Sequence, residues 1–139
     1  MTRSRSVLLW LPVCAHMAFI FAASSVPGTL LPGRLWDKLV HFTVYAALGV
    51  LFMLPLTRGR LSNVTLRTAI GALALSALYG ISDELHQLFT PNRSSDPMDV
   101  LADTLGAAAG ILFVVVVARV VLERITVGSP EVRKAGSPE

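Results

Sequence analysis

Four apolar runs, near residues 7–24, 39–56, 67–88 and 99–122, take up most of this 139-residue chain. Crossing the hydrocarbon of a bilayer takes about 20 mostly apolar residues, so each run is a candidate span. With 53% hydrophobic residues, 15% charged residues and a mean hydropathy of +0.64, the chain is more apolar than a water-soluble core requires. Lipid offers no partner to backbone N–H and C=O groups, which restricts a spanning chain to helices or closed barrels. Runs of this length predict an all-α polytopic membrane protein, a compact antiparallel bundle of four transmembrane helices. Residues 1–125 form that domain, and the connecting loops leave no room for another. From residue 126 the chain turns polar and helix-breaking, with Gly128-Ser129-Pro130-Glu131 echoed by Gly136-Ser137-Pro138-Glu139, which predicts a disordered tail at 126–139.

Basic residues give the orientation. Nine of the twelve Lys and Arg residues lie before span one, between spans two and three, or after span four: Arg3, Arg5, Arg58, Arg60, Arg67, Arg119, Arg124, Arg133 and Lys134. Only Arg34, Lys38 and Arg93 fall in the other two loops. The positive-inside rule then places both termini in the cytoplasm of a multi-pass cell-membrane protein. The net charge of +3 follows from this topology and does not indicate nucleic-acid binding. The first run exceeds the roughly 7 to 15 apolar residues of a signal-peptide core, and Trp10 suits an interface anchor, so the helix is expected to be retained. Leu11-Pro12-Val13-Cys14 approximates a lipoprotein cleavage box, but bulky Val13 stands where a small residue is needed. Cys14 is the only cysteine, which excludes an intrachain disulfide. His16, in mid-span with no acidic residue one turn away, is assigned no role.

Six of the nine carboxylates sit at the ends of apolar runs: Asp37, Asp83, Glu84, Asp96, Asp99 and Asp103. A charge at mid-bilayer costs roughly 2.5 to 3.5 kcal/mol, less near the interface, so intramembrane acids mark pathways or sites. The topology brings all six to one membrane face. Span two contributes Asp37, Lys38, His41 and Tyr45, in which 37, 41 and 45 form one helical stripe. Span three ends with Asp83, Glu84, His86 and Gln87, of which Glu84 and Gln87 share a face. Span four opens with Asp99 and Asp103, again one turn apart, and Arg93 lies in the loop between.

Structural duties compete with functional ones at several of these positions. Asp96 before Pro97 has the form of a helix N-cap, Asp99 suits the positive end of a helix dipole, and Asp37 can cap span two. Asp83 and Glu84, near a helix C-terminus, have no such explanation. Asp103 lies beyond the capping turn and precedes Gly106 and Gly110, whose small face predicts close packing of span four against a helix of the same chain. Tyr45 can pack with its hydroxyl bonded to one of the acids, and Trp36 and Phe89 are expected as interfacial anchors.

The blocks Asp37-Lys38-xx-His41-Phe42-xx-Tyr45, Asp83-Glu84-xx-Gln87 with Pro91 and Arg93, and Asp99-xxx-Asp103-xx-Gly106-xxx-Gly110 resemble the VanZ-like membrane family, as does Ser24-Ser25 followed by Pro27. The likeness runs from about Phe21 to Gly110. It implies a small polytopic protein, some relatives of which are associated with glycopeptide resistance, notably to teicoplanin. It marks Asp37, Lys38, His41, Tyr45, Asp83, Glu84, Gln87, Arg93, Asp99 and Asp103 as functional candidates, without catalytic roles. The family often has Asn where this chain has Asp103, so polarity matters there more than charge.

A mixed acidic and basic network at headgroup depth suits a polar ligand headgroup, a cation held by oxygen ligands, or proton exchange. The leading expectation is a non-enzymatic envelope protein whose extracytoplasmic pocket binds an amphiphile, such as a lipid-linked cell-wall intermediate or a lipoglycopeptide. Membrane lipids surround it, and neither a cofactor, a resident metal nor an oligomer is predicted. One alternative is a membrane-embedded hydrolase or transferase using Glu84 and His41 as an acid-base pair, with or without a metal. Its sequence support is thin, because His-Glu-x-x-His, Gly-x-Ser-x-Gly and Walker-type patterns are all missing. The other is a proton-coupled transporter, for which four short helices offer a narrow path.

Overall fold

The computed structural model describes the backbone of residues 3–30 and 34–127, and the side chains of 6–29 and 37–127. The anchor expected at Trp36, the basic side chains of Arg3, Arg5 and Arg34, and the tail beyond 127 with Arg133 and Lys134 therefore lie outside the described residues.

All regular structure among these residues is helical: α1 (Arg3–Leu8), α2 (Leu11–Ser24), α3 (Arg34–Leu56), α4 (Leu66–Gln87) and α5 (Pro97–Val127), with short 3₁₀ turns at Gly28–Leu30 and Leu61–Asn63. The first apolar run is broken between α1 and α2, where Pro12 sits in the opening turn of α2 and the Trp10 ring packs edge-on against Phe52 at 6.3 Å. Among the described residues three segments are long and apolar enough to cross a membrane: Ser6–Ser24, Asp37–Leu56 and Pro97–Val127. The fourth long helix, α4, has 22 residues, which at 1.5 Å per residue is about 33 Å. Its Thr, Ser and Gly content and its acidic last turn make it the least apolar of the four.

Local chemistry sets the helix ends. Thr65 and Thr68 form a reciprocal capping box at the start of α4, with Thr68 N–H donating to Thr65 Oγ1 at 3.2 Å and Thr65 N–H to Thr68 Oγ1 at 2.9 Å. This satisfies two otherwise orphaned donors. Asp96 Oδ1 accepts the N–H of Met98 at 2.9 Å, capping α5 ahead of Pro97. Asp37 is not a cap, because α3 starts three residues earlier, at Arg34. Helix α5 also runs two residues past the predicted domain end, to Val127.

The tightest packing is between α3 and α5; α4 lies against both, and α2 leans on α3 and α4. Glycine makes the α3–α5 contact possible. A Cβ at Gly106 would collide with the Phe42 carbonyl, one at Gly110 with the Ala46 carbonyl, and one at Gly49 with Ala107 backbone. The Gly-xxx-Gly face is thus turned to a helix of the same chain, and backbones in such contact gain dispersion energy that lipid does not replace. Below it Val13, Ile20, Tyr45, Leu48, Phe52, Met53, Ala72 and Ile111 form the buried core, while Leu78, Ile81, Leu85, Leu105, Leu112 and Phe113 face outward. An interior more polar than the surface is the arrangement a lipid surround favours.

Candidate functional site

The α3–α5 crossing fixes the site. Asp103 lies one turn before Gly106 and so faces α3, where its Oδ1 is 2.9 Å from His41 Nδ1. Space for it comes from α4: a side chain at Gly80 would put its Cβ 2.8 Å from Asp103 Oδ2. With Asp103 ionised, its carboxylate can only accept, and Nδ1–H is then the donor and Nε2 the remaining position of the ring. Asp103 is 0% and His41 7% exposed, so the pair is shielded from water and from lipid.

Around this pair the helix ends are tied to one another. Glu84 Oε2 accepts the backbone N–H of Asp96 at 2.7 Å, which joins the end of α4 to the start of α5. Gln87 Nε2 donates to Glu84 Oε1 at 3.1 Å and to Asp83 Oδ2 at 3.4 Å. The other end of the Gln87 amide accepts from Arg93 Nη1 at 3.1 Å. Arg93 also reaches the carbonyls of Val26 and Ala23, binding the end of α2 to the same cluster. Lys38 Nζ lies 2.8 Å from both Asp96 Oδ2 and Asp99 Oδ1, a charge-assisted bridge from α3 to the first turn of α5.

Beside the cluster, a cleft of ≈ 130 Å³ opens between α2, α3 and α4. Its walls are apolar, with Phe19, Ile20, Val40 and Val44; its polar lining comes from Asp37, His41, Tyr45, Asp83 and Arg93. Two polar atoms here are buried and without a hydrogen-bond partner among the described residues, Tyr45 Oη and Asp103 Oδ2. The Tyr45 ring lies parallel to His41 at 6.4 Å. Two groups have ligand atoms within 4.8 Å of one another, Asp37 with His41 and Asp99, and His41 with Asp83 and Glu84. Either can hold a cation.

A family model described as VanZ/LLP1 matches residues 5–119. The chain belongs to that family. The matched stretch contains every residue of the cluster and reaches into all four long helices, in keeping with a multi-pass membrane protein. No curated protein and no solved structure matches the chain.

In this VanZ/LLP1 protein all ten candidate residues named from the sequence lie at one end of the bundle, and seven of them, His41, Tyr45, Asp83, Glu84, Gln87, Asp99 and Asp103, are buried. His41 and Glu84 share a site as expected, with their ligand atoms within 4.8 Å, while the direct hydrogen bond of His41 goes to Asp103 and those of Glu84 to Gln87 and Asp96. The sequence analysis named His86 and the Ser24-Ser25 pair but not the contacts by which they fasten α2 to this end, and it passed over Thr90 and Tyr79. Ser25 Oγ is 3.0 Å from His86 Nε2, and His86 stacks on Phe21 at 4.2 Å. Thr90 donates to the Ser24 carbonyl and Tyr79 to the Met17 carbonyl at 2.6 Å. Tyr79 left a periodic signal, because 79, 83 and 87 make a helical stripe like that of 37, 41 and 45. His16, assigned no role, is bonded to the Val44 carbonyl at 3.0 Å.

Proposed function

We propose that this chain is a four-span VanZ/LLP1 protein with both termini in the cytoplasm, whose cleft opens at extracytoplasmic headgroup level and binds the polar end of an amphiphile. The ligand class is a lipid-linked cell-wall intermediate or a lipoglycopeptide, and the consequence in the cell is tolerance to glycopeptides such as teicoplanin. The single observation that carries this reading is the two-part lining of the cleft. Phe19, Ile20, Val40 and Val44 suit an acyl or prenyl chain, while Asp37, His41, Tyr45, Asp83 and Arg93 meet a hydrogen-bonding head.

Charge distribution supports the orientation. Arg58, Arg60, Arg67, Arg119 and Arg124 follow α3, open α4 or end α5, all at the pole opposite the acidic cluster. The positive-inside rule makes that pole cytoplasmic. In α4 the buried residues Ala72, Ser76, Gly80, Asp83, Glu84 and Gln87 occupy one face turned to its neighbours, which lets a less apolar helix serve as the fourth span.

Binding is measured on the full chain in lipid nanodiscs, with teicoplanin and a lipid-linked cell-wall intermediate as probes. Asp83→Asn and Tyr45→Phe each weaken binding of at least one probe by about tenfold, the effect of about 1.4 kcal/mol. Correctly folded variants that bind both probes as the wild type does would count against the proposal.

The orientation of His41 favours a second reading, a membrane-embedded acid-base hydrolase or transferase. A ring whose Nδ1–H is held by a buried carboxylate presents Nε2 as a general base. Product formation from the lipid-linked probe, abolished in His41→Ala, distinguishes this reading from binding alone.

A further inference from the structure

Among the described residues the Lys and Arg side chains around the cluster are already engaged, and none of them pairs with two of the buried acids. Lys38 pairs with Asp96 and Asp99. Arg93 is bonded to Gln87 and to backbone carbonyls. Asp83 is 4% and Glu84 2% exposed, and among the described residues neither forms a salt bridge with Lys or Arg. Their neutral partners are the Gln87 amide and the Asp96 N–H. A buried carboxylate that stays ionised is costly unless a positive group compensates it.

We propose that His41, Asp83 and Glu84 bind one divalent transition-metal ion, of which Zn²⁺ fits best. Their ligand atoms lie within 4.8 Å of one another. Zn²⁺ takes nitrogen and oxygen ligands at about 2.0–2.2 Å, so the three side chains draw closer together on binding it. One imidazole and two carboxylates form a mixed donor set, unlike the all-oxygen shells of Ca²⁺ and Mg²⁺. The Asp83 and Glu84 carboxylates together match the ion's charge of +2.

A second, independent observation is the support behind His41. Metal-bound histidines commonly give their other ring N–H to a carboxylate, which fixes the tautomer and raises ligand basicity. Asp103 does this at 2.9 Å, leaving Nε2 for the ion. Tyr45 Oη, 1% exposed, lines the same cleft as His41 and Asp83 and lacks a hydrogen-bond partner among the described residues. It is placed to bond a water or ligand oxygen held by the ion. The neighbouring group of Asp37, His41 and Asp99 is the poorer site, since Lys38 already neutralises Asp99.

The ion shares its cleft with the amphiphile proposed above, so the test uses no amphiphile. Full-length protein, purified in detergent and stripped with a chelator, is loaded with Zn²⁺, Mn²⁺, Mg²⁺ or Ca²⁺, desalted and analysed for metal. The expected result is one Zn²⁺ per chain. Affinity falls at least tenfold in His41→Ala, Asp83→Asn and Glu84→Gln, falls 10- to 100-fold in Asp103→Asn, and is unchanged in His86→Gln. If those variants do not fold, the wild type decides the matter through its stoichiometry and a Zn²⁺-dependent rise in melting temperature. Folded wild type that retains no transition metal, or retains only Mg²⁺ or Ca²⁺, overturns the proposal. So does an affinity that depends on Asp37 but not on Asp83 or Glu84. Such a failure removes the ion alone, because the amphiphile titrations of the proposed function are run separately and stand or fall on their own result.

Discussion

His41 on α3 and Asp103 on α5 meet at 2.9 Å in the interior of the bundle, with side-chain exposures of 8% and 0%. Sixty-two residues separate them in the chain, so the contact reports the relative rotation and height of the two helices. A buried hydrogen bond of this kind is costly to break from one side, because the remaining partner is left buried and unsatisfied.

Asp103→Ala is therefore expected to lower stability by about 1.5–3 kcal/mol in detergent, in the range for a hydrogen bond to a charged group. Asp103→Asn keeps an acceptor for His41 Nδ1–H and costs less than half as much. Thermal melts of the two variants check this; equal losses would show that the hydrogen bond does not matter.

The glycine contact between α3 and α5 predicts a sharp positional contrast. Gly106→Val forces a side chain into the Phe42 carbonyl and costs about 1–3 kcal/mol or more, as overpacking does. Ala109→Val, at an exposed position of the same helix, leaves the melting temperature within a degree or two. Both are read from the melting of purified protein.

The two carboxylates that share Lys38 are unequal. Asp96 is 37% exposed at the side chain and Asp99 5%, so solvent screens the first pair more than the second. Double-mutant cycles are expected to give a coupling below about 1 kcal/mol for Lys38 with Asp96. For Lys38 with Asp99 the coupling should be larger, within the 0.5–3 kcal/mol that contacting residues show.

Orientation is tested with single cysteines in a Cys14→Ser background. Ser62 follows α3 and Ser94 precedes α5, and both are exposed. A membrane-impermeant thiol reagent applied to intact cells should label Ser94→Cys and spare Ser62→Cys. The reverse pattern would place the cleft in the cytoplasmic leaflet.

The convergence of helix ends was legible because polar residues recur at helical spacing inside apolar runs. Asp37, His41 and Tyr45 mark one face of α3, Asp99 and Asp103 one face of α5, and topology alone sends both to the same pole. Lateral pairing was not legible. Which acid takes the hydrogen bond of His41 depends on how α3 and α5 rotate about their contact, and that rotation is set by Gly49, Gly106 and Gly110 against backbone. The Gly-xxx-Gly pattern identifies a close-packing face without naming its partner. The attachment of α2 through Ser25 and His86 joins residues 61 apart and has no periodic signature. The break between α1 and α2 lies inside an apolar run, where Pro12 was the only cue.

The most direct test of an amphiphile-binding cleft is equilibrium titration of labelled teicoplanin, and separately of a labelled lipid-linked cell-wall intermediate, onto wild type and Val44→Trp in nanodiscs. Val44 lines the cleft wall, and an indole there fills the space an acyl or prenyl chain would enter. Saturable binding of at least one probe at one molecule per chain, lost in a Val44→Trp protein that still melts cooperatively, is the predicted result. No saturable binding of either probe, or binding indifferent to the filled cleft, would contradict it.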